Sequence, residues 1–129
     1  MHVLRRLWLT SILQTTIRVL GGLLSAYQLS GQDSLYLEKA VELADRMMPI
    51  FETHNGIPMT MINLGLREGI PEKNHNGWVS TAEIATLQLE FKYLSHATGD
   101  KKYWDAVEKV MGIVREARMD TGLASIFIE

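Results

Sequence analysis

The chain contains no cysteine. That absence excludes disulfide bridges and thiolate metal centres, and it leaves the compartment open. No run reaches the ~20 apolar residues needed to cross a bilayer, because Arg18 interrupts the first apolar stretch. Neither sign of charge dominates: 13 basic and 15 acidic side chains give a formal net charge of −2. The two signs are interspersed and no basic run carries interleaved aromatics, so nothing points to nucleic acid or to an anionic membrane. His54, His75 and His96 show neither His-x-x-x-His nor Glu-x-x-His spacing, which argues against a transition-metal site. A D-x-D-x-D-G loop for Ca²⁺ is also missing. At 129 residues and 47% hydrophobic, the chain has enough apolar material for one modest core.

The most informative segment runs from Leu13 to Tyr27. It reads as a helix apolar nearly all round except for one stripe. At helical spacing Gln14, Arg18, Gly21/Gly22 and Ser25 share a face, while Leu13, Ile17, Leu20 and Leu24 share another. A helix this apolar is expected to be buried, and a buried arginine needs a partner, a ligand or water. Two glycines in a helix interior cost roughly 1 kcal/mol each against alanine, so close approach of another group is expected there. Before this segment, Arg5-Arg6 followed by Leu7-Trp8-Leu9 faintly resembles a signal peptide. Its apolar run is short and no small-residue cleavage site precedes Gln14, so the alternative is that these residues extend the first helix.

Four helices are expected. The first starts at about Leu4 or Leu7 and ends at the Ser30-Gly31 stop. A second follows Asp33-Ser34 and carries Leu37, Ala40, Val41, Ala44, Met47, Met48 and Phe51 on one face. The third begins near Ser80 with Ile84, Leu87, Phe91 and Leu94 at helical spacing. The fourth follows Gly99-Asp100, with Tyr103, Val107, Val110, Val114 and Ala117 inward. Asp33 and Asp100 read as N-caps. Between the second and third helices, Thr53 to Trp78 is irregular, and within it Ile57 to Leu64 is expected to form a short strand.

An internal repeat links the two helix pairs. Ala40-Val41-Glu42 recurs as Ala106-Val107-Glu108 and Gly56-Ile57 as Gly122-Leu123, both 66 residues on. Each unit reads as helix, turn, helix and a Gly-led extended segment. One αα-hairpin cannot bury its apolar face alone, so further units are expected beside it. The apolar Ile126-Phe127-Ile128-Glu129 falls within the second extended segment and reads as truncation.

Thr16-Ile17-Arg18-Val19-Leu20-Gly21-Gly22-Leu23-Leu24-Ser25-Ala26-Tyr27-Gln28-Leu29-Ser30-Gly31 resembles a phrase of the class I α-1,2-mannosidases, glycoside hydrolase family 47. The similarity continues through Leu35 to Ala40, Asp45 to Pro49, Gly56-Ile57-Pro58 and Asn63-Leu64. It resumes in Ser80-Thr81-Ala82-Glu83, Leu87 to Phe91, Leu94-Ser95 and Thr98-Gly99-Asp100. Several ordered phrases at family spacing make the match specific. It covers residues 15–129 as a partial, N-terminal piece of a mannosidase-like domain, with residues 1–14 a non-matching extension of the first helix. The implied fold is all-α: an incomplete (α/α)7 barrel of about two αα-hairpins with short β segments. The resemblance implies removal of α-1,2-linked mannose from high-mannose N-glycans of glycoproteins, by inverting hydrolysis with Ca²⁺. The implied compartment is the secretory pathway, endoplasmic reticulum or Golgi. The family's calcium-contacting threonine lies far toward the C-terminal end of its barrel and is absent from this chain, so no metal ligand is assigned here.

Three residues carry the implied chemistry. Gln14 stands where the family has an acidic residue that is a candidate catalytic acid. An amide keeps shape and hydrogen bonding but has no proton to exchange near neutral pH. Either the protein is a catalytically silent homologue, or residues 1 to about 14 are not native family sequence; Leu13, in place of the family's Phe, favours the second. Arg18 matches the family arginine that reaches the sugar, with a structural ion pair as the alternative. Glu83 matches an acidic residue near the pocket, yet Ser80-Thr81-Ala82-Glu83 also fits a capping box that would engage the same side chain. Glu90, two turns on, is either an inward partner for Glu83 or part of a solvated face. The methionines, including Met47, Met48, Met59 and Met61, are expected to fill core gaps, and Trp78 and Trp104 to pack between hairpins. On this reading the chain alone is inactive; the rival is a non-enzymatic mannose-binding or scaffold module.

Overall fold

The structure, a computed structural model, describes residues 9–71, 77–117 and 119–128. The chain opens on strand β1, Leu9–Ser11, and passes directly into helix α1. Helix α1 comprises an α-turn Ile12–Gln14, a π-helical stretch Thr15–Leu20 and an α-helical stretch Gly21–Leu29. Helix α2 spans Ser34–Met47 and runs into a 3-10 turn, Met48–Phe51. Strands β2, Met61–Asn63, and β3, Glu68–Ile70, follow. The second half holds β4 (Val79–Ser80), α3 (Thr81–Ala85), α4 (Gln88–Thr98), α5 (Lys101–Glu116) and β5 (Phe127–Ile128).

Two αα-hairpins with short β segments result, as the sequence leads one to expect, and they form no closed barrel. Asp33 and Asp100 are the expected N-caps: each carboxylate accepts the backbone N–H two residues on, at 3.0 Å. Three expectations need correction. The first helix does not extend back through Leu9–Ser11, which is a strand paired with β2 (Thr10 opposite Ile62); residues 1–8 lie outside the described residues. The strand expected over Ile57 to Leu64 is limited to Met61–Asn63. The third helix is two helices, broken at Thr86-Leu87, where the Thr86 hydroxyl bonds back to the Ala82 carbonyl.

The repeat runs deeper than its sequence signature. In each unit the strand before the inner helix pairs antiparallel with a strand after the outer helix: β1 with β2, and β4 with β5. The first helical N–H of each unit is anchored alike. Ile12 N–H donates to the Thr60 carbonyl at 3.0 Å, and Thr81 N–H to the Ile126 carbonyl at 2.9 Å. Gly56 and Gly122, 66 residues apart, share a left-handed φ of 78° and 79°.

The main core lies between the hairpins. Leu20 and Leu24 of α1, Ala40, Ala44 and Met47 of α2, Phe91 and Leu94 of α4, and Tyr103 and Val107 of α5 meet there. Phe91 sits at its centre, with Phe51 edge-on at 5.5 Å and Tyr103 at 6.3 Å between ring centroids. Met48 and Met59 pack against this cluster, as gap-fillers do. A second cluster of Ile57, Val79, Ile84, Val110 and Ile128 joins both extended segments to α5. Trp104 does not bridge hairpins: it is 43% exposed and carries Lys92 of its own hairpin over its ring at 4.6 Å.

Candidate active site

The π-helical stretch decides which side chains reach solvent. A π turn takes more residues than the 3.6 of an α-helix, so a four-residue interval returns almost to the same face. Ile12, Thr16, Leu20 and Leu24 therefore form one buried line. Gln14 and Arg18 fall on the exposed line opposite, which continues to Gly22. This overturns two expectations drawn from an ideal 3.6-residue period. Ile17, placed inward by that period, is 37% exposed. Arg18 is not buried, and it makes no ion pair among the described residues, so the structural-pair alternative finds no partner there.

The two glycines separate in the same way. A Cβ on Gly21 would stand 3.4 Å from Glu90 Oε1 and 3.5 Å from the Thr16 carbonyl oxygen. A Cβ on Gly22 would meet nothing within 4 Å. A methyl would thus make ordinary contact at Gly21 and none at Gly22, so the close approach expected from the sequence demands glycine at neither position.

Glu83 occupies the place in the second unit that Gln14 occupies in the first. Ser11 and Ser80 are the N-cap residues of the two inner segments, and Gln14 and Glu83 are the third helical residue of each. The shared strand anchors, Thr60 to Ile12 and Ile126 to Thr81, hold both at the same end of their hairpins. The capping-box alternative for Glu83 is weakened because the Ser80 side chain makes no capping bond; Thr81 instead ties its hydroxyl to the Ser125 carbonyl. In the first unit the Ser11 hydroxyl does accept from Gln14 N–H, at a long 3.4 Å. The equivalence was readable in the sequence as Ser11-x-x-Gln14 against Ser80-x-x-Glu83, 69 residues apart, but only the paired strands give it meaning.

Glu90 belongs to a different feature. A cleft of about 830 Å³ opens between the C-terminal half of α1 and the length of α4, lined by Gly21, Ser25, Gln28, Glu90, Tyr93 and His96 among others. The Tyr93 hydroxyl donates to Gln28 Oε1 at 2.9 Å. Glu90 Oε2 is buried with no hydrogen-bond partner among the described residues, as is Thr16 Oγ1. Gln14, Arg18 and Glu83 do not line this cleft. Glu90, half-buried, thus faces this cleft and is not gathered with Gln14, Arg18 or Glu83.

The shifted titrations lie on the outer helices. Burial pushes the Tyr103 hydroxyl up to about 12, helped by its 2.7 Å hydrogen bond to Asp45 Oδ1. Lys102, at 2.9 Å from the same Asp45 oxygen and 3.2 Å from Asp100, is held above the usual ammonium range by those contacts. This cluster ties α2 to α5 and so joins the two hairpins. Among the described residues no three His, Asp or Glu side chains gather closely enough to hold a metal ion.

Stacked αα-hairpins with short β segments at one end are part of an all-α, (α/α)-type architecture. The solved structure of α-1,2-mannosidase from Trichoderma reesei matches this architecture with a TM-score of 0.73 and 29% identity, over 86% of this chain and 24% of that one. The chain belongs to glycosyl hydrolase family 47, whose family model matches residues 6–129. The matched span therefore includes residues 6–14 as well. The endoplasmic reticulum mannosyl-oligosaccharide 1,2-alpha-mannosidase of Schizosaccharomyces pombe is 49% identical over 104 residues, which is 81% of this chain and 20% of that protein. The Homo sapiens protein of the same description is 48% identical, over 78% of this chain and 14% of its own length. The chain spans at most about a fifth of the length of these relatives.

Proposed function

We propose that this chain forms one wall of an α-1,2-mannosidase pocket that removes α-1,2-linked mannose from N-glycans in the secretory pathway, by inverting hydrolysis. The observation that carries the reading is the exposed line Gln14–Arg18 on α1, opposite a fully buried line, with Glu83 at the equivalent place in the next unit. The planar guanidinium of Arg18, with no ion-pair partner among the described residues, is suited to donate to sugar hydroxyls. Glu83, half-buried, is the pocket carboxylate.

Inversion needs an acid to protonate the leaving oxygen and a base to activate water on the opposite face. Gln14 can donate and accept hydrogen bonds, but its amide cannot release a proton to the leaving group. Glu83 by itself supplies only one of the two roles. The chain on its own should therefore bind mannoside without cleaving it. Family membership implies Ca²⁺ in the complete domain; the described residues offer no cluster that fits such an ion, and no step is assigned to it here.

Titration calorimetry with α-1,2-mannobiose tests the reading. Binding by the chain that is lost in Arg18→Ala, with circular dichroism unchanged, is the expected result; equal binding by Arg18→Ala overturns it. Release of mannose by the unaltered chain would overturn the inactivity. Gln14 also favours a second reading, a catalytically silent mannose-binding or scaffold protein. Glycan binding without hydrolysis by a protein carrying this segment within a complete family domain would select it.

A further inference from the structure

Asn55 and Gly56 lie between the 3-10 turn and the buried Ile57. Asn55 is exposed, and its Oδ1 accepts the backbone N–H of Ile57 at 3.1 Å. Gly56 has φ +78°, and a Cβ there would stand 2.7 Å from Ile113 Cδ1 and 3.2 Å from Lys109 Cε. Conformation and space both demand glycine at this position. The asparagine is consequently followed by the one residue whose amide nitrogen no side chain shields.

We propose that Asn55 is a site of spontaneous deamidation in the folded protein, promoted by the turn that holds its side chain. The Gly56 nitrogen attacks Asn55 Cγ and forms the new N–C bond. The Ile57 N–H already donates to the oxygen that gathers negative charge, as an oxyanion-hole donor does. The Cγ–Nδ2 bond then breaks, and ammonia leaves with the proton that Gly56 nitrogen gives up. Water adds to either carbonyl of the resulting succinimide ring, giving aspartate or isoaspartate. Solvent is the only co-reactant.

The surroundings suit the product. Lys109 Nζ lies 3.8 Å from the Gly56 Cβ position and forms no ion pair with a described residue, so a cation stands next to the residue that follows the new carboxylate. Isoaspartate also lengthens the backbone by one methylene where Gly56 seats against α5, loosening the extended segment of the first unit. Two other places in the molecule serve as controls. The matching turn of the second unit holds Gly122 with the same left-handed φ, but Thr121 precedes it and has no amide to lose. Asn63 is 3% exposed, its Oδ1 accepts the Leu66 N–H at 3.0 Å, and it precedes leucine.

The test is tryptic mass spectrometry of the chain incubated at neutral pH, native and unfolded in urea, with isoaspartate detected by methyltransferase labelling. Expected is conversion at Asn55 in the native chain at least as fast as in the unfolded one, accelerating with pH, with Asn63 unchanged in the native chain. Slower conversion of Asn55 in the native chain than in urea overturns the proposal. Asn55→Gln should abolish the labelling at this peptide and keep the melting temperature; persistent labelling there also overturns it.

Discussion

The two hairpin units share strand pairing, N-caps and a left-handed glycine, yet their inner helices differ. In the first unit, Ser11 passes into one continuous helix whose middle is π-helical. In the second, the corresponding segment breaks at Thr86-Leu87 into two helices. The extra residues of the π stretch bring Leu20 and Leu24 into the core and leave Arg18 outside. The break lets Leu87 and Phe91 enter the same core, while Leu89 is left 77% exposed. Two solutions thus reconcile a polar helix start with an apolar helix body. One widens the helix and the other interrupts it.

Core truncation probes this comparison most strongly. Phe91→Ala should cost about 3–5 kcal/mol, because the ring is fully buried between Phe51 and Tyr103. Leu24→Ala, next to the cleft on the first unit's helix, should cost about 2 kcal/mol, at the low end for such changes. Urea unfolding of both variants checks the order, and a larger loss from Leu24→Ala would show the first unit to be the better packed.

The caps come next. Asp33→Ala should cost about 1 kcal/mol by thermal melting. Asp100→Ala should lower the melting temperature further than Asp33→Ala, since Asp100 also holds Lys102. Equal shifts would mean that the Lys102 contact adds nothing.

The glycine pair gives a smaller contrast. Gly22→Ala should stabilise by about 0.5–1 kcal/mol, as its Cβ enters open space on a helix. Gly21→Ala should gain less, because its methyl contacts Glu90 Oε1. Equal gains would show that Glu90 yields freely.

The pH response should be the smallest effect. Asp100 is held below the usual carboxylate range chiefly by the Lys102 backbone N–H, Glu42 by Lys39 and Glu108 by Lys92. Their contributions are present above the unfolded-state pKa values and fade as pH falls through the lower folded ones; exposure keeps them small and salt-sensitive. Tyr103 behaves oppositely. Its folded value is raised, so its contribution holds below the ordinary tyrosine pKa of about 10 and is lost as pH rises through about 12. Ultraviolet titration of the phenol, with Tyr103→Phe as the reference, should show one late-ionising tyrosine.

The helices were legible because apolar residues recur at helical spacing over long stretches, and Asp33 and Asp100 mark two starts. The π stretch was not legible: a 3.6-residue period assigns Ile17 inward and Arg18 to a buried stripe, and nothing in Thr15 to Leu20 signals a wider turn. The break at Thr86-Leu87 was hidden because Ile84, Leu87, Phe91 and Leu94 keep their spacing across it. Strand β1 has three residues and finds its partner some fifty residues later, beyond any local pattern. Gln14 and Arg18 were correctly placed on one stripe. The kinship of Gln14 with Glu83 rests on the anchoring of Ile12 and Thr81 to returning strands, which no local sequence pattern encodes.

Those returning strands carry a further consequence. Because the entry and exit of each unit are hydrogen-bonded side by side, a whole unit begins and finishes at nearly one point in space. A loop grafted at the opposite, turn-side end of a hairpin should therefore leave the paired strands undisturbed. The same strand pairing that fixes where the Gln14 and Glu83 helices begin closes each hairpin on itself.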